Sequence, residues 1–347
     1  MHDTLMHLAQ RLMEFFTGPV TGLHTRYYWI FLLQAAILAF VVHLLQGGRL
    51  ATLPQRFPLA ALFHRSSLVD WQINIANAVV GPALKLFWRL SAPTVVAATM
   101  LHQADSIIGP APHLLHANMP TLAALTLLAL IGDDFGYYVF HRLAHQIPWL
   151  WSFHKLHHSA EVLTPLVAGR VHPLEETLSE PFRAIFSAAA MAPLLFVMDG
   201  DAHILTVGGI SVTALLFGAL GNQLLHAEIP ISFGDRLHHV LVSPALHQIH
   251  HSALACHHNR NLGGLLSVWD WCFGTLHLPQ PGERIVFGLQ EEAAQIHPTL
   301  AAAYFRPFGE IWRGVAGLVA RRVRQGTVAG DVPSPPDAPS FMMARTN

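Results

Sequence analysis

Apolar residues run along this chain in long blocks rather than short alternating runs, a pattern that predicts helices and not strands. Residues 27–45 form the cleanest block. It opens on Tyr27, Tyr28 and Trp29 and contains no Asp, Glu, Lys or Arg in 19 residues. A bilayer core of about 30 Å needs roughly 20 apolar residues, and aromatic side chains suit its interface. A second block, 73–100, is interrupted by Pro82, Lys85, Arg89 and Pro93, so a kinked or partly re-entrant segment is expected. The third, 121–140, is apolar to Ile131 and then meets Asp133 and Asp134. Carboxylates inside a span are costly and face protein, water or a metal site. A hydrogen bond to a neighbouring span is the expected role of Asp133. Blocks 183–198 and 203–225 follow as a hairpin joined by Asp199-Gly200-Asp201. Ahead of them all, residues 1–17 carry Leu5, Leu8, Leu12, Phe15 and Phe16 on one side. That stretch is expected to lie on the membrane surface rather than act as a signal peptide.

The expected architecture is therefore all-α: an integral-membrane bundle of about four to five hydrophobic segments with a cytoplasmic, histidine-rich helical cap. Four regions are expected. They are an N-terminal membrane region (1–120), a catalytic membrane and histidine-box region (121–280), a C-terminal amphipathic region (281–325) and a disordered tail (326–347). Composition strengthens the membrane reading. The chain is 52% hydrophobic and 12% charged, against about 25% charged in an average soluble domain. A net charge of −1 gives no electrostatic basis for binding nucleic acid. Basic residues collect at 46–70, after 140 and after 225, and are absent from 101–120 and 199–202. The positive-inside rule then puts both histidine regions in the cytoplasm and the N-terminus outside; Lys85 and Arg89 do not fit that assignment. A bacterial inner membrane is the expected location. The two cysteines, Cys256 and Cys272, are too few for an iron–sulfur cluster and are expected to be buried thiols.

Histidine changes the picture most. The chain has 25, and five fall between His141 and His158. His141 and His145 are four apart and share a helix face, as do His154 and His158, and His154 and His157 at a spacing of three. His157 and His158 diverge by about 100°, so their rings can serve different ions. The triple recurs as His247, His250 and His251. His226 follows Asn222 at i,i+4 spacing, and Asn222 is a candidate ligand directly or through a water. Nine imidazoles exceed the four ligands of a structural zinc site and suit two ions of higher coordination number. Candidate carboxylates for fixing the ring tautomers are Asp134, Glu161, Glu175, Glu228 and Asp270. His172 is expected to order the cap. Among His238, His239, His257, His258 and His277, exposure is expected for most. His24, His43, His102, His113 and His116 are expected to be structural.

These residues resemble the fatty acid hydroxylase/sterol desaturase superfamily of membrane di-iron oxygenases. The matching pieces begin with Asp134, Tyr138, His141-Arg142 and His145, then Trp151 with His154, His157-His158-Ser159. They continue with Arg170, His172-Pro173 and Glu175, then Pro244, His247, His250-His251-Ser252. Asn261, Gly263, Trp269-Asp270 and Phe273-Gly274-Thr275 complete them. The family usually has Tyr where Leu262 stands, and some members have His where Asn222 stands. The resemblance implies two iron ions, O2 as co-substrate and a lipid substrate entering from the bilayer. The nine histidines would be the ligands, with Asp134, Tyr138 and Asn222 as catalytic candidates; Tyr137 and Tyr138 would line or support the site. Hydroxylation is favoured over desaturation. The chain has no Gly-rich nucleotide fingerprint, so an external donor (ferredoxin, cytochrome or reductase) is expected. The alternative reading is a metal transporter or metal-sensing membrane protein.

Overall fold

The computed structural model describes residues 29–45, 47, 59–87, 93–207, 210–229, 231–280, 282–289 and 299–328. The expected surface helix at 1–17 and the tail beyond 328 lie outside them. Eleven α-helices occur among the described residues. The first three are α1 (Trp29–Leu45), α2 (Arg65–Phe87) and α3 (Pro93–Ile108). Then come α4 (Met119–Gln146), α5 (Pro148–His158) and α6 (Pro173–Val197). Short helices α7 (Val212–Ala219), α8 (Asp235–His238), α9 (Pro244–His250) and α10 (Val268–Cys272) follow, before the long α11 (Leu300–Val328).

Among the described residues two helices, α4 and α6, are long and apolar enough to cross a membrane. A soluble core helix of that composition is mostly buried, whereas only 39% and 22% of their most apolar windows are buried here. Exposed Leu68, Trp71, Ile75 and Val79 make a further apolar face on α2. The chain is an all-α bundle of membrane-protein character.

Several expected boundaries shift. The impure block 73–100 is two helices, α2 and α3. Both long helices outrun their apolar cores: α4 continues through His141 and His145, and α6 begins ten residues before Arg183. The second arm of the expected hairpin is not a span. Its first part holds two short strands, β3 (Thr206–Val207) and β4 (Ile210–Ser211), and α7 is eight residues long. The helical run does break between the first two histidine boxes: the corner falls at extended Ile147, and Pro148 opens α5. Helix α11 runs two residues past the expected start of the tail at 326.

Helix α4 starts with a reciprocal cap. Asn118 Oδ1 accepts from the Thr121 amide at 3.2 Å, and Thr121 Oγ1 accepts from the Asn118 amide at 2.9 Å. Its main neighbour is α6, and two glycines explain how close they come. A Cβ at Gly136 would lie 2.7 Å from Arg183 Cα, and one at Gly132 would meet Phe186 O and, at 2.7 Å, Ser187 Cα. This small-xxx-small spacing lets two backbones touch. Asp133, between them, forms a two-pronged ion pair with Arg183 at 3.1 and 2.7 Å, so its partner is on the neighbouring helix, as expected. At the far end a parallel bridge joins β1 (Leu115–His116) to β2 (Met198–Asp199). The helices are thus antiparallel, and the C-terminus of α4 meets the N-terminus of α6.

Candidate metal centre

All nine expected histidines gather at that meeting point. His141 and His145 occupy the last turns of α4, and His154, His157 and His158 lie on α5. His247 and His250 come from α9, with His251 at its C-cap. His226 follows a single 3-10 turn, Asn222–Leu224. Eight of the nine are buried, and His145 is half-buried.

The rings divide into two sets. His141, His145, His154, His158 and His250 have ligand nitrogens within 4.8 Å of one another, as do His157, His226, His247 and His251. Each His-x-x-His-His box gives its i,i+4 pair to one set and its middle histidine to the other. His154 and His158 sit with His250, while His247 and His251 sit with His157. Helix geometry causes this: adjacent residues point about 100° apart. His157 therefore parts from His154, against the shared face expected at spacing three.

Three outer ring nitrogens, all in the five-ring set, have defined partners. His141 Nδ1 lies 2.7 Å from Leu262 O, His154 Nδ1 2.6 Å from Glu175 Oε1, and His250 Nδ1 3.0 Å from Arg260 O. A carbonyl only accepts, so the Nδ1 of His141 and His250 donates and Nε2 keeps its lone pair. Burial pushes the Glu175 carboxyl up to about 8; when ionised it accepts from His154 Nδ1, and His154 is then in the same tautomer. The inner nitrogens then face one another. His141 Nε2 is 3.0 Å from His154 Nε2, which is 3.1 Å from both His145 Nε2 and His158 Nε2. In the second set, His226 Nε2 is 3.1 Å from His157 Nε2 and 2.9 Å from His247 Nε2, with His251 Nε2 3.1 Å from His247. The buried Nε2 of His250 has no hydrogen-bond partner.

The Nε2 lone pairs of His141 and His154, facing at 3.0 Å, repel unless a cation lies between them. Protonation is not the remedy. Burial pushes His154, His158, His247 and His251 well below the usual histidine value, and His250 down to about 4. The spacing itself fits a metal. Metal–nitrogen bonds of about 2.1 Å at right angles put neighbouring nitrogens about 3.0 Å apart, against about 3.4 Å in a tetrahedron. Separations of 2.9–3.1 Å match right angles. The donor set therefore suits square or octahedral coordination rather than tetrahedral.

Around this centre the flanking motif residues do mechanical work. Arg170 donates to Leu156 O at 2.9 Å, Ser159 Oγ at 2.8 Å and Asp70 Oδ1 at 2.7 Å. It ties the last turn of α5, with His157 and His158, to α2. His172 caps α6 through the Leu174 amide at 3.2 Å and donates to Tyr304 O at 3.1 Å, the ordering role expected. Asp134 accepts from the Leu265 and Leu266 amides at 2.7 and 3.1 Å and from Trp269 Nε1 at 2.9 Å. Asp270 accepts from the Leu262 and Gly263 amides at 2.7 and 2.8 Å and from Thr275 Oγ1 at 2.6 Å. These two carboxylates shape the loop whose Leu262 carbonyl meets His141. That contact is made by backbone, so the site keeps it although the side chain is Leu.

Other expectations are corrected. Among the five candidate carboxylates, Glu175 is the one bonded to a ligand ring. Glu161 pairs with Arg65 at 2.9 Å, and Glu228 accepts from the Leu163 amide at 3.3 Å. The Tyr138 hydroxyl bonds Thr275 Oγ1 at 3.1 Å and Arg142 at 3.0 Å, while the Tyr137 ring lies 5.1 Å from that of His141. Asn222 and His226 do not share an α-helical face, because Gly221, at φ +85°, ends α7 and starts the 3-10 turn. His257 and His238 are buried, and His239 and His277 are half-buried, leaving His258 as the exposed one. Glu283 Oε1 draws His257 and His277 in, at 2.9 and 2.8 Å, a cluster with no sequence-local signal. Cys256 and Cys272 are free and exposed rather than buried.

Fold and site together define an apolar helical bundle carrying a paired imidazole centre that could hold metal at one end of its spanning helices. Residues 126–275, which contain all nine histidines, match the fatty acid hydroxylase family, and this match and the relatives support a likeness of that region to the fatty acid hydroxylase/sterol desaturase superfamily. The chain is 29% identical to an alkylglycerol monooxygenase of Homo sapiens, over 49% of this chain and 34% of that protein. It is 30% identical to the ornithine lipid hydroxylase OlsE of Rhizobium tropici, over 50% of this chain and 48% of that protein. A very-long-chain aldehyde decarbonylase of Oryza sativa is 26% identical over 41% of this chain and 21% of that protein. The chain thus spans about a third to a half of the first two relatives' lengths. No solved structure matches it significantly. Nothing in the site or the relatives supports the transporter alternative.

Proposed function

We propose that the protein is a membrane-bound di-iron oxygenase that hydroxylates a C–H bond of a lipid, using O2 and electrons from a separate ferredoxin, cytochrome or reductase. The observation that carries this reading is the pair of adjoining imidazole sets, five and four rings, at the ends of two bilayer-length helices. Two iron ions, when bound, supply the oxygen activation that amino-acid side chains cannot. The family match and two relatives named as a monooxygenase and a hydroxylase of lipids support hydroxylation over desaturation.

Within this reading the chain's residues bind, orient and exclude water. The nine histidines are the ligands. Glu175, Leu262 O and Arg260 O hold His154, His141 and His250 in the tautomer that presents Nε2 inward. Asn222 is proposed to complete the smaller set, directly or through a water. Asp134 and Tyr138 act as positioning residues through the loop that ends at Thr275. The lipid arrives along the apolar faces of the helices, and the histidine end faces the cytoplasm of a bacterial cell.

The test is a turnover assay. Full-length protein with an electron donor, O2 and a lipid extract should yield a lipid heavier by one oxygen atom, and His154→Ala should abolish it. Loss of two hydrogens would instead indicate desaturation. An iron-loaded protein that changes no lipid in any pool would contradict the proposal.

A further inference from the structure

Helix α11 is amphipathic in a way that its packing within the chain does not explain. One side is used: Ala303 is fully buried against α2 and α5, and Glu310 bonds Lys155 at 2.7 Å and Arg306 at 3.1 Å. A second side is apolar and largely exposed. Phe305, Phe308, Trp312, Val315 and Val319 are 71%, 47%, 74%, 50% and 56% exposed. At 100° per residue they fall within an arc of about 80°. Arg313 and Arg321, both exposed, point at least about 120° away from the centre of that arc.

We propose that α11 lies in the plane of the membrane surface, with this aromatic arc sunk into the boundary between headgroups and acyl chains and its arginines toward anionic headgroups. The occupant follows from where the helix sits. His172, the residue that opens the spanning helix α6, donates to Tyr304 O at 3.1 Å, and its ring lies 6.0 Å from that of Phe308. The bare arc therefore starts at the histidine end of α6, the end that leaves the bilayer. Helix α11 is not itself a span: residues 306–324 carry Arg306, Glu310, Arg313, Arg321, Arg322 and Arg324, and charges at that density prevent crossing. A large amphipathic contrast, aromatic residues on one face and arginine on the other are the features of an interfacial helix. Such a helix would hold the histidine end at the membrane surface, within reach of lipid.

This inference rests on the reading of α4 and α6 as spans, and the experiment separates the two. Single cysteines would be placed at Trp312→Cys, Phe305→Cys and Arg313→Cys in the full chain, with Cys256 and Cys272 changed to Ser. Each is labelled with an environment-sensitive fluorophore and reconstituted into phosphatidylcholine–phosphatidylglycerol vesicles carrying acyl-chain quenchers at shallow or deep positions. Labels at 312 and 305 should be quenched several-fold more by the shallow lipid than the label at 313, which should remain open to aqueous iodide. Equal iodide access at 312 and 313 would overturn the proposal. So would shielding of 312 without lipid quenching, which would mean that protein covers the arc. A fourth label at Leu127→Cys, on the exposed face of α4, reports the span itself. If the deep quencher fails to reach it, the membrane reading fails rather than the placement of α11.

Discussion

Glu175 illustrates how one carboxylate can govern a centre it does not enter. Its 2.6 Å contact fixes the His154 ring, whose Nε2 is the hub of the five-ring set, within 3.1 Å of three others. Losing such a partner typically costs about 10–100-fold in metal affinity or activity. Glu175→Ala should therefore lower iron affinity by that order, measured by titration against a chelator, while leaving the four-ring set occupied. Acid should act on the same residues. His250 falls from 6.5 to about 4 because it is buried, so between those values the unfolded chain takes up a proton that the folded site refuses. The folded state is favoured above pH 6.5 and loses stability as pH falls toward 4. Thermal unfolding at stepped pH should show the midpoint dropping across that window, with metal lost in parallel. The nine histidines were legible in the sequence because i,i+4 spacing is a local property. Their division was legible only in part. The divergence of His157 from His158 was visible; the exchange of middle histidines between boxes needed α5 and α9 brought face to face.

At the scale of elements, the approach of α4 to α6 determines whether the site forms, because His141, His145 and Glu175 lie at the joined ends. Gly136→Val would place a branched side chain where even a Cβ lies 2.7 Å from Arg183 Cα. Overpacking of this kind costs about 1–3 kcal/mol. A lowered unfolding temperature in detergent should appear, with reduced metal content even though no ligand is touched. Arg170→Ala acts on another joint. It strands Asp70, which is fully buried, and frees the end of α5; breaking a buried pair costs about 3–5 kcal/mol. Differential scanning of the variant against Arg170→Ala/Asp70→Asn should show the double change recovering part of the loss. Sequence pattern marked both long helices but cut them short. Hydropathy ends where polar residues begin, and here the polar ends are helical because His172, Asp133 and the imidazoles find partners across the bundle. Gly132 and Gly136 carried no visible signal in hydropathy. The pairing of Arg170 with Asp70, 100 residues apart, had none either. Gly221 defeated the helical spacing read between Asn222 and His226.

For the whole molecule, polarity is arranged along one axis. Apolar faces on α2, α4 and α6 occupy one length of the bundle, and the imidazole sets, the Asp134 and Asp270 loop anchors and the start of α11 share one end. That arrangement suits the proposed lipid substrate in the bilayer and the proposed electron donor outside it. It was foreseeable in outline, since the histidine boxes follow the apolar blocks in the chain. The count of spanning helices was not, because a run such as 203–225 has a span's hydropathy yet folds as short strands and an eight-residue helix. The proposed function depends on two metal ions sharing nine rings. The most direct measurement is iron per chain in the full-length protein, by elemental analysis with Mössbauer spectroscopy, beside His250→Ala and His247→Ala. Two iron ions are expected in the unaltered protein, with each variant weakening the ion held by its own set. One ion per chain, or zinc without iron, would contradict it.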